Sequence, residues 1–372
     1  MTEASIATKP VRNAAIARPA PNYRAIRIWL WSVAAVVFAM VILGGTTRLT
    51  DSGLSITEWN PISGVLPPLN HADWLAEFAK YKQIPQYKDL FSNMDLNRFK
   101  FIFMWEWSHR LLGRFMIGIV FIIPFAVFWL RDMLPTGMKA KLLGVLALLG
   151  LQAFVGWWMV KSGLVGRVEV AQQWLALHLF LASLTIAALV YLAASLKPAV
   201  GETLPAAPRL RRLATLTICV VFVQIVLGAL VAGLRAGRAF NTWPLMDGHF
   251  IPSTHLLFAM ESFWRNFTDN IAMVQFQHRM GGYTLLALTL LQALCVAAWA
   301  PKSRAKRRAF HLFGIVFVQA CLGIVTLLLV VPLWAGLIHQ AFAMFVLAKM
   351  VIYRESLSRA RSQPTLQVVA SA

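Results

Sequence analysis

The chain has 372 residues, 59% of them hydrophobic and only 13% charged. A soluble domain carries roughly a quarter charged residues, so an ordinary soluble enzyme is excluded. The formal net charge of +20 would suit nucleic acid, but the basic residues fall between long apolar runs, and that distribution reflects membrane topology instead, with no nucleic-acid partner.

Residues 1–26 are rich in Ala, Pro and Arg and read as a disordered basic tail. Apolar runs of about 20 residues match a bilayer core of about 30 Å at 1.5 Å per residue. Backbone amides in lipid must be bonded within the segment, so the runs are helices. Eight are predicted, over 28–47, 101–130, 141–160, 172–196, 213–234, 271–300, 310–331 and 335–353. The loop after the first is long, and its segment Ala72–Tyr81 reads as a short amphipathic helix lying on the membrane face. The basic clusters alternate along the chain. Arg12, Arg18 and Arg24 are followed by Arg131, Lys139 and Lys141, then Arg209, Arg211 and Arg212, then Lys302, Arg304, Lys306, Arg307 and Arg308. The acids in these segments are Glu3, Asp132, Glu202 and Glu355. The positive-inside pattern places both termini in the cytoplasm. Cys219, Cys295 and Cys321 all fall within predicted helices, which excludes an outer-loop disulfide and a thiolate metal cluster.

The chain repeats itself. LTDSGLSITEWNPISGVLPP (49–68) follows the first helix and LRAGRAFNTWPLMDGHFIP (234–252) the fifth. Gly53, Trp59, Pro61 and Gly64 match Gly237, Trp243, Pro244 and Gly248. Gln-x-x-x-Gly recurs as Gln152/Gly156, Gln224/Gly228 and Gln319/Gly323, with Met40/Gly44 in the first helix. The predicted fold is therefore an all-α integral membrane protein of two tandem, pseudo-symmetric four-helix bundles. The N-terminal half spans 27–196, an inner linker 197–212, the C-terminal half 213–355 and a cytoplasmic tail 356–372.

The second and sixth helices share His-Arg-x-x-Gly, as His109, Arg110, Gly113 and His278, Arg279, Gly282. The fourth and eighth share His-x-x-x-Ala, as His178/Ala182 and His339/Ala343. Ionisable groups in apolar helices are costly and usually functional. All four histidines fall at one depth near the outer surface, which suits axial ligation of haem iron by histidines on facing helices. The small residue four positions on lies on the same helical face and opens a slot for a flat macrocycle. Arg110 and Arg279 stand at the rim, placed to pair with haem propionates. His71, His249, His255 and His311 lie in loops or at a helix end and have no repeat partners.

The halves differ at one position. Glu106 precedes His109 by three residues, while its counterpart Gln275 cannot ionise. The half with the carboxylate is the candidate for proton-coupled chemistry, and the other for electron transfer. Three readings follow: an oxidoreductase that modifies a bound haem, a bis-histidine di-haem b-type cytochrome that only passes electrons, and a haem transporter.

With these motifs in the second, fourth, sixth and eighth helices, the chain resembles the haem A synthase family along nearly its whole length. The resemblance implies oxidation of the C8 methyl group of haem O to a formyl group through hydroxylated intermediates, giving haem A for terminal oxidases. It implies a resident b-type haem on His278 and His339, and a substrate haem at His109 and His178 beside an essential acid at Glu106. It further implies haem O synthase and cytochrome oxidase assembly factors as partners, leaving a homo-oligomer open. The absence of outer-loop cysteines is similar to the proteobacterial and mitochondrial branch. The bacterial inner membrane is the expected location, with the mitochondrial inner membrane as alternative.

Overall fold

The computed structural model describes residues 22–60, 62–197, 203–204 and 206–362. Most of the N-terminal tail, the last ten residues, Pro61 and part of the linker lie outside the described residues.

Among the described residues eight helices are long and apolar enough to cross a membrane: α1 Arg24–Leu49, α2 Leu96–Leu130, α3 Met138–Gly163, α4 Gln172–Ser195, α5 Ala207–Gly233, α6 Ile271–Trp299, α7 Arg304–Leu328 and α8 Leu333–Ser358. Polar side chains punctuate them. Asp95 caps α2 by accepting from the Arg98 amide at 2.8 Å, Asn270 caps α6 at Ala272 and Met273, and Ser303 caps α7 at Lys306. In the first long loop Asn70 starts the helix His71–Tyr81 by accepting from the Asp73 amide, one residue from its sequence-predicted start. Extended pairing among the described residues amounts to two residues on each side, Thr203–Leu204 parallel to Arg361–Ser362, and an isolated bridge between Met246 and His249.

Large apolar side chains remain exposed along the helices, for example Ile119, Ile123, Phe154, Val223 and Phe317. Outside lipid such a surface would be unstable; within it, these side chains face the acyl chains. The buried faces pack inward. On α1, Ile26, Leu30, Val33, Val37 and Val41 recur at helical spacing and are all nearly inaccessible.

The helices α1, α4, α5 and α8 make the centre: α4 packs against α1, α5 and α8, and α8 also against α1 and α5. Around α5 and α8 the helices α6 and α7 close a ring of four, each packed on the next. In the other half α2 lies on α1 and α3 on α4, but α2 and α3 do not pack along each other. Loop residues stand between them at one end, where Leu54 packs with Ile102 and Phe103 of α2 and reaches Gly163 of α3.

A wide turn interrupts α2 at Met116–Ile122, where the backbone is π-helical. Pro124 follows and has no amide to give the Val120 carbonyl. The Trp29 indole of α1 donates to that carbonyl instead, at 2.8 Å. The distortion is thus tied to a proline and satisfied by a neighbouring helix.

Candidate haem-binding site

Every one of the four recurring histidines is seated the same way. Its ring lies against a glycine of a neighbouring helix. A Cβ built on Gly44 would stand 3.2 Å from His109 Cε1, one on Gly156 2.8 Å from His178 Cε1, one on Gly228 3.0 Å from His278 Cε1, and one on Gly323 2.8 Å from His339 Cε1. A Cβ would force the imidazole to shift at Gly156 and Gly323 and would crowd it at Gly44 and Gly228. One turn before the glycine, a glutamine touches the same histidine in three of the four cases. The Gln152 amide nitrogen is 3.2 Å from His178 Nε2, that of Gln224 donates to the His278 carbonyl at 2.9 Å, and that of Gln319 is 3.0 Å from the His339 carbonyl and 3.2 Å from its Nδ1. At the fourth seat Met40 replaces glutamine, and its methyl packs where Gly113 has no Cβ.

His278 and His339 face each other with ring centroids 6.4 Å apart and planes at 86°. With metal–imidazole bonds of about 2.0–2.1 Å, two imidazoles on opposite sides of one ion have centroids roughly 6 Å apart, so this pair has the spacing that a shared iron needs. The pair lines a cavity of about 320 Å³, with Gly282 and Ala343 also in its wall and mostly apolar neighbours. Nδ1 of His109, His178 and His278 is buried with no hydrogen-bond partner, a costly arrangement in a protein interior without a ligand. His71, His249, His255 and His311 are exposed.

Glu106 is 4% exposed and has three donors on its carboxylate. Oε2 accepts from Ser55 Oγ at 2.8 Å and from the Ile56 amide at 2.9 Å. Oε1 accepts from Arg110 at 2.6 Å. Arg110 also donates to the carbonyls of Ile56 and Glu58, both at 2.9 Å. In the other half Gln275 is equally buried. It accepts from Arg279 at 3.0 Å and donates to the carbonyls of Ala236 and Phe240, while Arg279 donates to Phe240 and Leu245. Both arginines therefore clasp the long loop to the helix that carries the histidine. The Trp59 ring sits under the Arg110 guanidinium at 5.9 Å and meets Trp157 of α3 edge-on. Its counterpart Trp243 donates to the Tyr283 hydroxyl of α6 at 2.9 Å.

The family model for cytochrome oxidase assembly proteins of the COX15-CtaA type matches residues 27–351. The chain belongs to this family. It is 57% identical to a protein named haem A synthase from Beijerinckia indica subsp. indica, over 95% of this chain and 99% of that one. A haem A synthase of Brucella ovis is 51% identical over 87% of this chain and 89% of its own length. One from Brucella anthropi is 50% identical over 87% and 90%.

Two features escaped the sequence. The Gln-x-x-x-Gly repeat is visible there, but its role as a histidine seat needs the helix pairing. The arginines next to the histidines carry loop carbonyls on their guanidinium groups, a use that adjacency in sequence does not reveal.

Proposed function

We propose that the chain is a haem A synthase of an energy-conserving membrane, converting the C8 methyl of haem O to a formyl group. The observation that carries this reading is the match, along nearly whole lengths, to proteins of that name. The donor set supports it. Among the described residues no three His, Cys, Asp or Glu side chains converge on one point, and an iron already held by a macrocycle needs only two protein ligands.

In this reading the chain works as two tandem halves, 27–196 and 213–355. His278 and His339 hold a b-type haem, which supplies one-electron redox chemistry when bound. His109 and His178 hold the substrate haem. Packing supports that division: α5–α8 form a closed ring suited to a resident group, whereas α2 and α3 do not pack along each other on their side of the other half. The orienting work falls to the seats. Gly44 and Gly156 fix the rings of His109 and His178, and Gln152 holds His178 by a ring nitrogen. Glu106 and Arg110 fasten the Ser55–Glu58 strip over α2. The electron-carrier reading has no corresponding use for a carboxylate in one half alone.

Extracting haems from membranes with and without the protein tests the function. Haem A appears only with the protein, in cells that already make haem O. Unaltered haem O in both samples, with the protein present and folded, would leave a cytochrome or a carrier. Termini in the cytoplasm and the long loops outside complete the proposal, supported by the basic clusters at the other helix ends. Reporters fused after Leu196 and after Ala300 then give cytoplasmic signals, and a signal from the opposite side at either point would reverse the topology.

A further inference from the structure

A second polar cluster lies where α1, the α3–α4 loop and the end of α5 meet. Arg48 Nη2 is 2.7 Å from Glu169 Oε2 and donates to the Gly233 carbonyl at 3.0 Å. Its Nη1 is 3.6 Å from Asp51 Oδ1. Arg235 donates to the same Asp51 oxygen at 2.6 Å and pairs with Glu169 as well. Two cations and two anions thus pair within one group, Arg238 acts on Asp51 from beside it, and the Arg48 side chain is only 11% exposed. Asp51 and Arg235 each stand two residues before the matched glycines Gly53 and Gly237. Both have left-handed backbones, with φ of 59° and 51°. Equivalent positions of the sequence repeat have therefore acquired opposite charges and joined.

The location gives the group a consequence. Arg48, Asp51 and Arg235 line the same cavity as His278 and His339. Glu169 and Arg235 line an open cavity of about 840 Å³ on the long-loop side. The quartet is the charged wall between the two spaces, and Arg48 and Asp51 come to it from the N-terminal segment.

We infer that this quartet sets the reduction potential of the group bound by His278 and His339, so that the N-terminal segment tunes the cofactor of the C-terminal one. The inference rests on the reading that this pair holds a haem. Reduction adds one electron to the iron. A fixed positive charge beside it favours the reduced form, and a fixed negative charge the oxidised form. Salt screens partly buried charges far less than exposed ones. Removing one member changes the local charge by one unit of known sign.

The test is a redox titration of the haem in the purified full-length holoprotein, in lipid nanodiscs. Alkaline pH is used because burial raises the Asp51 carboxyl, against the pull of Arg235 and Arg48. Arg48→Gln lowers the midpoint potential and Asp51→Asn raises it. The double variant returns towards the wild-type value, and the absorbance bands stay unchanged throughout. A merely structural role moves both single variants in the same direction or alters the bands. That result, or no shift at all, overturns the inference. If either variant loses its haem, Glu169→Gln and Arg48→Lys take their place: the first must raise the potential and the second must leave it near wild type. Failure of the parent reading looks different, since His278→Ala would then keep the haem bands.

Discussion

Replacing His278 or His339 by alanine strips the resident haem, whereas replacing His109 or His178 leaves it in place and stops formation of haem A. The two rings of the first pair stand 6.4 Å apart across one cavity; with this pair holding the haem as proposed, each alanine removes one of two ligands and leaves the other without an opposite partner. The fold itself tolerates the change, because the seat is a glycine contact and a glutamine amide rather than a core packing element. Low-spin absorbance bands and the haem-to-protein ratio of the purified variants read the first effect. Chromatography of extracted haems reads the second. His109 and His178 belong to other helices and rest on other glycines, and neither side chain lines the cavity of His278 and His339, so their loss leaves its two histidines in place. Equal loss of the resident haem in both pairs of variants would show that the halves are not divided as proposed.

Much of this architecture could be read from the chain because the bilayer imposes a simple code. The span predicted over 172–196 is the helix Gln172–Ser195, and that over 271–300 is Ile271–Trp299. Most differing bounds arise because hydropathy saw only the apolar part of a longer helix, but the span predicted over 310–331 overshoots the end of α7 at Leu328, where Val330 and Val331 take left-handed backbones. α7 begins at Arg304, six residues before the predicted 310, because Ser303 caps it and the basic run 304–308 is already helical. α5 likewise starts at Ala207 rather than 213, with Pro208 in its first turn. The four histidines were legible as a set because duplication repeats them. Their surroundings were not. Which glycine meets which histidine depends on helix neighbours, and the pairing of Arg48 with Glu169 joins residues 121 apart in sequence. The small residues four positions after the histidines were read as slots. Gly282 and Ala343 do line the cavity, but Gly113 receives the Met40 methyl, so part of that signal comes from helix packing.

Glu106→Gln abolishes haem A formation while the resident haem remains. Sequence alone makes this variant a copy of the Gln275 site, but the hydrogen bonds show that it is not. Gln275 gives its amide to two loop carbonyls, Ala236 and Phe240. Glu106 instead meets two donors at one oxygen, the Ser55 hydroxyl and the Ile56 amide, and a guanidinium at the other. A carboxamide has only one acceptor. If its oxygen serves Ser55 and Ile56, its NH2 confronts Arg110; if it serves Arg110, its NH2 confronts the Ile56 amide. Either way a buried donor loses its partner, and Arg110 loses its counter-charge. Breaking a buried ion pair from one side typically costs about 3–5 kcal/mol, enough to free the Ser55–Glu58 strip from α2. A proton-transfer role adds its own loss, typically about 10²–10⁴ in rate. Two readouts separate the contributions. Limited proteolysis within the 55–66 loop reports the clasp, and chromatography of haem O, the hydroxylated intermediate and haem A reports the chemistry. Glu106→Asp keeps the charge but shortens the reach by one methylene. It therefore frees the loop yet retains partial product if the carboxylate moves protons, and it frees the loop and makes none if the clasp alone matters. Near-normal haem A from Glu106→Gln, with the loop still protected, would remove Glu106 from both roles.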